Sequence, residues 1–431
     1  MTTPADERTG VSRAFLGATF LSQLGSAAAL LAATVVSSNA GTSESQAALF
    51  TALMLAFNYG MAALVTPYSG RIARKLGTGR TYALTQAGGV AAYATLAIAM
   101  WAGLPGYPTL MILTPFLGAF GGLGHVVSPL VSRAYFGGGM ALSQARTTMA
   151  TGLAWVIGAI AGAWVIDHIG APSAFLSNAL LTVPLVVMLI AVTPREPFDR
   201  VATIAHPWRD MFGQLRSNDR LRRAAVMGLA TVLFVAPLVS MVVPLTRSLN
   251  HDLAVHAGVV LACIAFGEMF APMVVRMIGG RWGPMRSAST AYLAAGLVLL
   301  FIAGWTIVTD RTSEFLGICV FAVVFGAVHY GGTALLIADV SGAAADEQRQ
   351  EAMSAYFFVL GIGIPLGTIL WGQLLGLIPP TILLALTGGA MLLLVGGMIT
   401  HLNRLGIHLP PAVPHDDRVS HPIGALRHHW F

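Results

Sequence analysis

The chain has 431 residues, of which 56% are hydrophobic and only 10% are charged. A soluble protein carries charge on roughly a quarter of its residues, so this composition excludes a soluble globular domain and indicates an integral membrane protein. The formal net charge of +6 is spread over short polar stretches, which indicates basic loops facing anionic lipid and not a nucleic-acid-binding surface.

Long apolar stretches follow one another along the chain. A membrane-spanning helix needs about 20 consecutive, mostly apolar residues, and this rule predicts twelve spans. They cover 14–38, 46–67, 81–103, 108–132, 147–167, 173–193, 224–246, 254–277, 287–308, 314–338, 352–376 and 379–402. We therefore predict an all-α membrane protein with twelve transmembrane helices in two pseudo-symmetric six-helix bundles.

Polar segments divide the chain into four parts. They are an N-terminal half with its tail (1–193), a central linker (194–223), a C-terminal half (224–402) and a C-terminal tail (403–431). The polar N-terminus has no convincing cleavage site, so we expect a tail before the first span and not a secretory signal. The linker is predicted to hold an amphipathic surface helix near His206–Leu215.

The lysines and arginines orient the spans. Only Arg247 and Arg311, among 24 such residues, lie in loops that follow odd-numbered spans. Because loops rich in lysine and arginine stay on the cytoplasmic side, both tails and the linker are predicted to be cytoplasmic. The expected location is the plasma (inner) membrane, crossed many times.

The two halves repeat one another at an offset of about 205 residues. Matching residues are Pro67 with Pro272, Gly77 with Gly283, His125 with His329, Gly158 with Gly363, and Gly162 with Gly367. Offsets that agree this closely at separate places indicate an internal duplication. Two halves related in this way are typical of membrane transporters whose substrate site lies between the halves.

A short basic segment, Pro67–Arg80, separates spans 2 and 3, and a second version occurs at Pro272–Arg286. Four cations within ten residues cannot lie in hydrocarbon, and glycine allows a tight turn. We therefore predict a cytoplasmic turn that orients both neighbouring spans. The residues that give the segment its charge and flexibility are Gly70, Arg71, Arg74, Lys75, Gly77 and Arg80.

The run from Gly70 to Gly77 resembles the signature loop of major facilitator superfamily transporters, and the resemblance covers essentially the whole chain. It implies two six-helix halves that move about a substrate cavity at the membrane midplane. The family's loop usually has aspartate where this chain has Arg74. In the family that acid helps to stabilise the outward-facing state, so the departure puts that function in doubt here.

Span 5 contains the glycine-rich run Gly152–Gly162, which is similar to the antiporter motif of drug–proton exporters, with Ala159 where proline is usual. Small residues at this spacing let helices pack closely. Shorter patches look like the sugar efflux transporters. They are Gln144–Arg146 with Leu153–Gly158 and, in span 8, Gly267–Pro272. These resemblances favour export.

Glu268 is the only acidic residue near the centre of a predicted span. Charges at this depth are costly and usually functional. Burial and neighbouring charges shift a carboxyl group's pKa in opposite directions, so such a group can load and release a proton near neutral pH. We predict that Glu268 carries the coupled proton; the alternative is a structural carboxyl group hydrogen-bonded between helices.

His125 and His329 occupy equivalent positions in spans 4 and 10, which line the cavity in the superfamily. Histidine exchanges protons or forms hydrogen bonds near neutral pH, so both are predicted to bind substrate and take part in proton coupling, or else to link helices. Other polar residues are predicted to contact an organic substrate or, alternatively, to stabilise helix contacts. They are Gln23, Asn58, Tyr59, Trp155, Tyr330 and Tyr356.

Charged residues near the cytoplasmic ends of spans 4, 5, 10 and 11 form a predicted gate. Arg133 and Arg146 would pair with Asp339 and Glu351 across the two halves and bias the inward-facing against the outward-facing state. The alternative is that they are solvated end charges, since exposed ion pairs contribute little stability.

The sequence carries no motif for nucleotide, metal or covalent chemistry. Gly137–Gly139 lacks the Lys-Ser/Thr of a phosphate loop, and the five histidines after Asn403 have no compact ligand spacing. Cys263 and Cys319 lie in apolar runs and are expected to stay reduced. We therefore expect no enzyme activity, no cofactor and no metal.

The prediction from sequence is a secondary active transporter that exports a small organic compound (a drug, sugar or biosynthetic product) by alternating access, coupled to protons. Its partners are expected to be the substrate, protons and the lipid bilayer, without nucleic acid, and the chain is expected to be a monomer. The alternatives are a proton-coupled nutrient importer and a membrane receptor or scaffold that has lost transport.

Overall fold

A computed structural model describes residues 4–136, 140–192, 207–235, 237–248, 254–308, 311–343 and 349–404. Every regular element in these ranges is a helix. An apolar chain in a bilayer requires this, because hydrocarbon offers backbone N–H and C=O groups no other partner. The predicted all-α class is confirmed.

The N-terminal half contains six membrane-spanning helices and one short basic helix. They are α1 (Pro4–Asn39), α2 (Glu44–Val65), a 3₁₀ turn (Thr66–Tyr68), α3 (Ser69–Leu76), α4 (Thr78–Trp101), α5 (Gly106–Phe136), α6 (Met140–His168) and α7 (Ala171–Val192). Each one except the 3₁₀ turn and α3 is long and apolar enough to cross a membrane. The polar N-terminal segment is already helical from Pro4 and continues into the first span.

The C-terminal half follows a linker helix, α8 (Pro207–Ser217). Its elements are α9 (Asp219–Phe234), α10 (Pro237–Ser240), α11 (Val242–Ser248), α12 (Ala254–Glu268), α13 (Ala271–Trp282), α14 (Pro284–Val308), α15 (Arg311–Ser341), α16 (Arg349–Leu375) and α17 (Pro380–Arg404). The first of these begins at Asp219, inside the segment assigned to the linker. The amphipathic linker helix is present, with Met211 buried and Phe212 exposed.

Two of the twelve predicted spans are broken. Span 7 consists of α9–α11, and span 8 consists of α12 and α13, which meet at an angle of 41°. The breaks begin new helices at Pro237 and just before Pro272, where proline removes a backbone donor and fits the first turn of a helix. All twelve predicted positions are therefore helical in the described residues, ten of them as single helices.

The basic segment between spans 2 and 3 is mostly helix, which corrects the predicted turn. In α3, Ser69 and Ala73 are buried, whereas Arg71 and Lys75 are exposed. The small residues and the charged residues thus recur at helical spacing. A short amphipathic helix therefore buries the small residues on one face and exposes the charges on the other. The turn itself is confined to Gly77, whose φ of +86° is reached easily only by glycine.

The second half repeats this arrangement and supports the internal duplication. Gly283 has a φ of +76° and also joins a short basic helix, α13, to the next span. Gly77 and Gly283 are the N-terminal neighbours of α4 and α14, which pack within their own halves. In both halves, therefore, the proline lies at the start of the basic segment and the glycine forms the turn before the next span.

Glycines bring the repeated helices into backbone contact. In the N-terminal half, Gly158 of α6 faces the carbonyl of Leu24 in α1, and Gly162 faces Ala28 one turn later. The equivalent glycines of α16 contact α9. They are Gly363, which faces Leu229 and Val232, and Gly367, which faces Leu233. Leu24 and Leu229 are themselves 205 residues apart, so the contact is duplicated with the sequence.

The two halves meet along α2 with α16 and along α6 with α12. We call the side of the loops that follow odd-numbered spans the far side, and the side of α3, α8 and α13 the tail side. On the far side, Gly376 lies against Ser45. In the described residues neither α5 nor α15 has an extensive contact with the opposite half. The halves are therefore joined along these two helix pairs, while α5 and α15 contribute little to the contact between them.

Candidate functional site

Glu268 lies at the break between α12 and α13. It is the last residue of α12, and the chain bends by 41° immediately after it. The helix approaches α15 closely because Gly267 faces the carbonyl of Val323 and Gly326 faces that of Ile264. This glycine contact fixes the position of the carboxyl group against α15.

Glu268 and two tyrosines predicted to bind substrate come together between the halves. Tyr330, on α15, lies within electrostatic range of both the Glu268 carboxyl group and Tyr59 of α2. Tyr59 in turn lies near Tyr93 of α4. Glu268 is half-buried, and the described residues give it no ion-pair partner. The cluster places one acidic group among aromatic hydroxyls contributed by both halves.

Gln23 and Trp155 form a second polar pair in the N-terminal half. The Trp155 Nε1–H donates a hydrogen bond to Gln23 Oε1 over 3.1 Å, linking α6 to α1. Trp155 also packs beside Ala159, Leu261 and Ala262, where the two halves meet. The predicted substrate role of both residues stays a prediction, and their observed contact is with each other.

The two repeat-related histidines lie in different surroundings. His329 is only 8% exposed, and its ring stacks on Phe325 at 5.3 Å and meets Tyr330 edge-on at 5.1 Å. Its Nδ1 has no hydrogen-bond partner among the described residues. His125, by contrast, is exposed.

Differences between the repeats accompany this difference, since Tyr292, Phe325 and Tyr330 all contact His329 and none of the residues 204 positions earlier is aromatic. The residue 204 positions before Phe325 is Gly121, so the ring that covers His329 has no counterpart beside His125. Gly121 and His125 also lie about half a turn around α5 from the exposed, apolar Ile112, at about 100° per residue. The face carrying His125 is therefore not the apolar face typical of lipid contact, which supports its predicted place in a cavity.

Asn58 and Tyr356 occupy helix contacts. The backbone of Asn58 in α2 lies against Gly118 of α5, and its side chain is half-buried. Tyr356 of α16 is 1% exposed and packs against Gly228 of α9. A substrate reaches Tyr356 only if α9 and α16 separate, so the packing alternative is the better description of its observed position.

On the tail side, Asp339 pairs with Arg220 of α9. Nε and Nη2 of Arg220 donate to Asp339 Oδ1 over 3.0 and 2.7 Å. Both residues belong to the C-terminal half. The side chains of Arg74, Arg133, Arg146 and Glu351 lie outside the described part of the structure, so the gate across the halves stays a prediction. Arg71, Lys75 and Arg80 are exposed.

The linker helix connects the halves on the tail side. Trp208 Nε1–H donates to the Tyr68 hydroxyl over 2.9 Å, and its ring meets Phe358 of α16 edge-on at 5.2 Å. The linker helix therefore contacts both the end of span 2 and the first turns of span 11 through the indole ring of Trp208. An amphipathic helix was predicted here from the sequence, but these two partners had no sequence signal.

On the far side, Arg247 joins the halves. This residue of α11 donates to Ser38 Oγ and to Asn39 Oδ1, each over 2.7 Å, at the end of α1. Close by, the backbone N–H of Val255 donates to Asp167 Oδ2 over 3.1 Å, linking α12 to α6. From the sequence, Arg247 stands out only as one of two cations in the loops that follow odd-numbered spans, and its partners carried no signal.

Replacing Arg247 by methionine is expected to open the far side. Hydrogen bonds to a charged group contribute roughly 1.5–3 kcal/mol, so we expect at least about tenfold faster labelling of a buried reporter. The reporter is Ala48→Cys, at the contact of α2 with Gly372, in a chain whose native cysteines are replaced by serine. The measurement is the rate of reaction with a water-soluble maleimide.

Arg216→Met is the matched control, because Arg216 is an exposed arginine of the linker helix. It should leave the labelling rate unchanged. Equal rates in the Arg247→Met variant and in the parent chain would show that these hydrogen bonds do not hold the far side closed.

No group of three or more His, Cys, Asp or Glu side chains that could hold a metal ion occurs among the described residues. The polar centre of the fold therefore offers tyrosines, amides, histidine and one carboxyl group. These groups can bind an organic molecule by hydrogen bonds and aromatic contacts, and can exchange a proton.

Comparisons with known proteins agree with this architecture. Structures with the same fold include a single-substitution mutant of the nucleoside transporter NupG, at 11% identity and a TM-score of 0.69, covering 90% of this chain and 99% of that one. The human organic anion transporter MFSD10 matches at 16% identity and a TM-score of 0.69, covering 92% and 99%. No curated protein matches the chain.

Identities this low establish the fold and leave the substrate open. The family comparison reaches further, since the Major Facilitator Superfamily sequence model matches residues 15–368. This match includes α2, α3, the break at Glu268 and the glycine-rich stretches of α6 and α16. The chain belongs to the major facilitator superfamily and has its transporter fold.

Proposed function

We propose that this chain is a secondary active transporter that exports a small organic compound in exchange for protons, with Glu268 as the group that carries the proton. The observation that supports this most is the placement of Glu268 at a break between helices, within electrostatic range of Tyr330, which is itself within electrostatic range of Tyr59 in the opposite half. A carboxyl group inside a predicted span, with no described cationic partner, is costly to keep for structure alone.

Alternating access would couple the carboxyl group to the substrate. Tyr59 belongs to α2 and Glu268 to α12, so the two groups move relative to one another when the halves tilt. Tilting would expose Glu268 to one side of the membrane and then to the other, allowing it to bind a proton on one side and release it on the other. Substrate and proton are linked if each binds the two states with different affinity.

Polar and glycine contacts support a state that is closed on the far side. Arg247, Asp167 and Gly376 all make contacts between the halves there. The basic tail-side loops are predicted to be cytoplasmic. With the far side closed, separation of the tail-side contacts would give a cytoplasmic compound access to the centre, as the first step of export requires.

A substrate panel in inside-out membrane vesicles tests the proposal. With the vesicle interior acidified, we expect uptake of at least one small organic compound that collapses when an ionophore removes the proton gradient. Uptake that instead needs an alkaline interior would indicate the importer alternative. Failure of every compound, in vesicles shown to contain folded protein, would favour a receptor or scaffold.

A further inference from the structure

The two cysteines of the chain lie side by side on neighbouring helices. Cys263 of α12 and Cys319 of α15 are both free and half-buried. They lie four residues before Gly267 and Val323, respectively, whose backbones touch, so the two cysteines are one turn from this contact on neighbouring helices. They are 56 residues apart in the sequence. Their proximity is therefore a property of the folded protein.

The pair is brought together by the glycine contact that also positions Glu268. Gly267 and Gly326 allow the backbones of α12 and α15 to touch. Cys263 and Cys319 each precede this contact, by four and seven residues along their helices. Because glycine contacts of this kind are rigid and close, the separation of the two sulfur atoms is set by the fold.

The surroundings of the pair are apolar and open to the outside of the bundle. Leu316 and Val320, which flank Cys319 on α15, are each 62% exposed, and Phe266 is 45% exposed three residues after Cys263. Exposed apolar side chains on membrane-spanning helices are typical of lipid contact. A molecule reaching the thiols by this route has to dissolve in the bilayer, which favours neutral reagents over hydrated ions.

We propose that Cys263 and Cys319 form a dithiol site for neutral, lipid-soluble thiophiles that accept two sulfur ligands, the class of trivalent arsenicals R–As=O. Each thiol transfers its proton to the arsenical oxygen, two arsenic–sulfur bonds form, and one water molecule leaves. No atom changes its oxidation state. The product carries no charge, so it adds no buried charge to an apolar region.

The site is independent of the proposed transport cycle, because it involves neither the tyrosines nor the carboxyl group. Binding would join α12 to α15, two helices of the same half. It would therefore stabilise the folded protein by linkage even if the chain transports nothing.

Phenylarsine oxide and a thiol count test the proposal on the purified full-length chain. We expect one arsenical to bind per chain. Both thiols should then stop reacting with a disulfide-exchange reagent at the same time. The adduct should survive a monothiol wash and be removed by a 1,2-dithiol. In Cys263→Ser or Cys319→Ser, retention after the monothiol wash should fall by about 10²-fold or more, because the second bond is lost.

A second measurement needs no variant: arsenical retention is compared between the native chain and the chain unfolded in detergent. Unfolding separates the thiols, so the same wash should remove the arsenical only from the unfolded chain. Loss of a single thiol in the native protein would overturn the proposal. Retention by either serine variant equal to that of the parent would overturn it as well.

Discussion

Replacing Glu268 by glutamine is expected to abolish transport driven by a pH gradient while leaving substrate exchange at equal pH largely intact. Glutamine keeps the size and hydrogen-bonding capacity of the side chain but cannot release a proton. The Tyr330 and Tyr59 side chains, which are proposed to contact the organic substrate, would remain. We expect gradient-driven transport to fall by at least about tenfold, a change of about 1.4 kcal/mol, measured as the initial rate in proteoliposomes.

Two matched variants separate coupling from folding. Asp219→Asn makes the same chemical change at an exposed acid, paired with Arg222 on the surface of α9, and should transport normally. Glu268→Asp keeps an exchangeable proton one methylene further back and should recover part of the gradient-driven rate. Unchanged gradient-driven transport in Glu268→Gln would rule out Glu268 as the proton carrier and leave a structural carboxyl group.

Replacing Gly158 by alanine is expected to destabilise the N-terminal half. A Cβ atom at this position would overlap the backbone carbonyl of Leu24 in α1 and also approach Ala27. A clash with backbone cannot be relieved by rotating a side chain, so α6 has to move away from α1. Overpacking of this kind costs roughly 1–3 kcal/mol, and we expect a lower thermal midpoint in detergent.

Gly89→Ala is the matched control, since Gly89 lies within α4 and has open space where a Cβ would stand. Alanine in a helix interior is favoured over glycine by roughly 0.5–1 kcal/mol, so this variant should melt at the same temperature or higher. The repeat-related Gly367→Ala should behave like Gly158→Ala, because its Cβ would meet the backbone of Val232 and Leu233. Equal midpoints for Gly158→Ala and Gly89→Ala would contradict the packing function of the glycine run.

The positions and order of the helical spans could be predicted because they depend on local properties. A run of about 20 apolar residues specifies a membrane helix by itself. The duplication is visible as identical residues that recur about 205 positions apart. Gly158 and Gly363 were predicted to provide close packing, and the structure assigns each a partner in the same relative place. The breaks in spans 7 and 8 also had a local signal, in Pro237 and Pro272.

The partners of polar residues could not be predicted, because they depend on contacts distant in sequence. Arg220 and Asp339 are 119 residues apart, and Arg247 reaches Ser38 over 209. Sequence symmetry was also a limited guide to environment. His125 and His329 match in the repeat, yet Phe325 covers one of them and Gly121 leaves the other uncovered. The environment of a residue depends on the side chains around it, and a match between two positions in the repeat does not say what those side chains are.

If two rigid halves alternate about the site at Glu268, distances between paired spin labels on the two halves will change in opposite directions on the two sides of the protein. One pair, Thr42 and Leu377, lies on far-side loops of opposite halves; the other, Leu76 and Met277, lies on the tail-side helices α3 and α13. All four positions are exposed. With substrate or a pH gradient present, we predict a longer far-side distance and a shorter tail-side distance in the same sample. Distances that stay constant on both sides while transport proceeds would contradict the account.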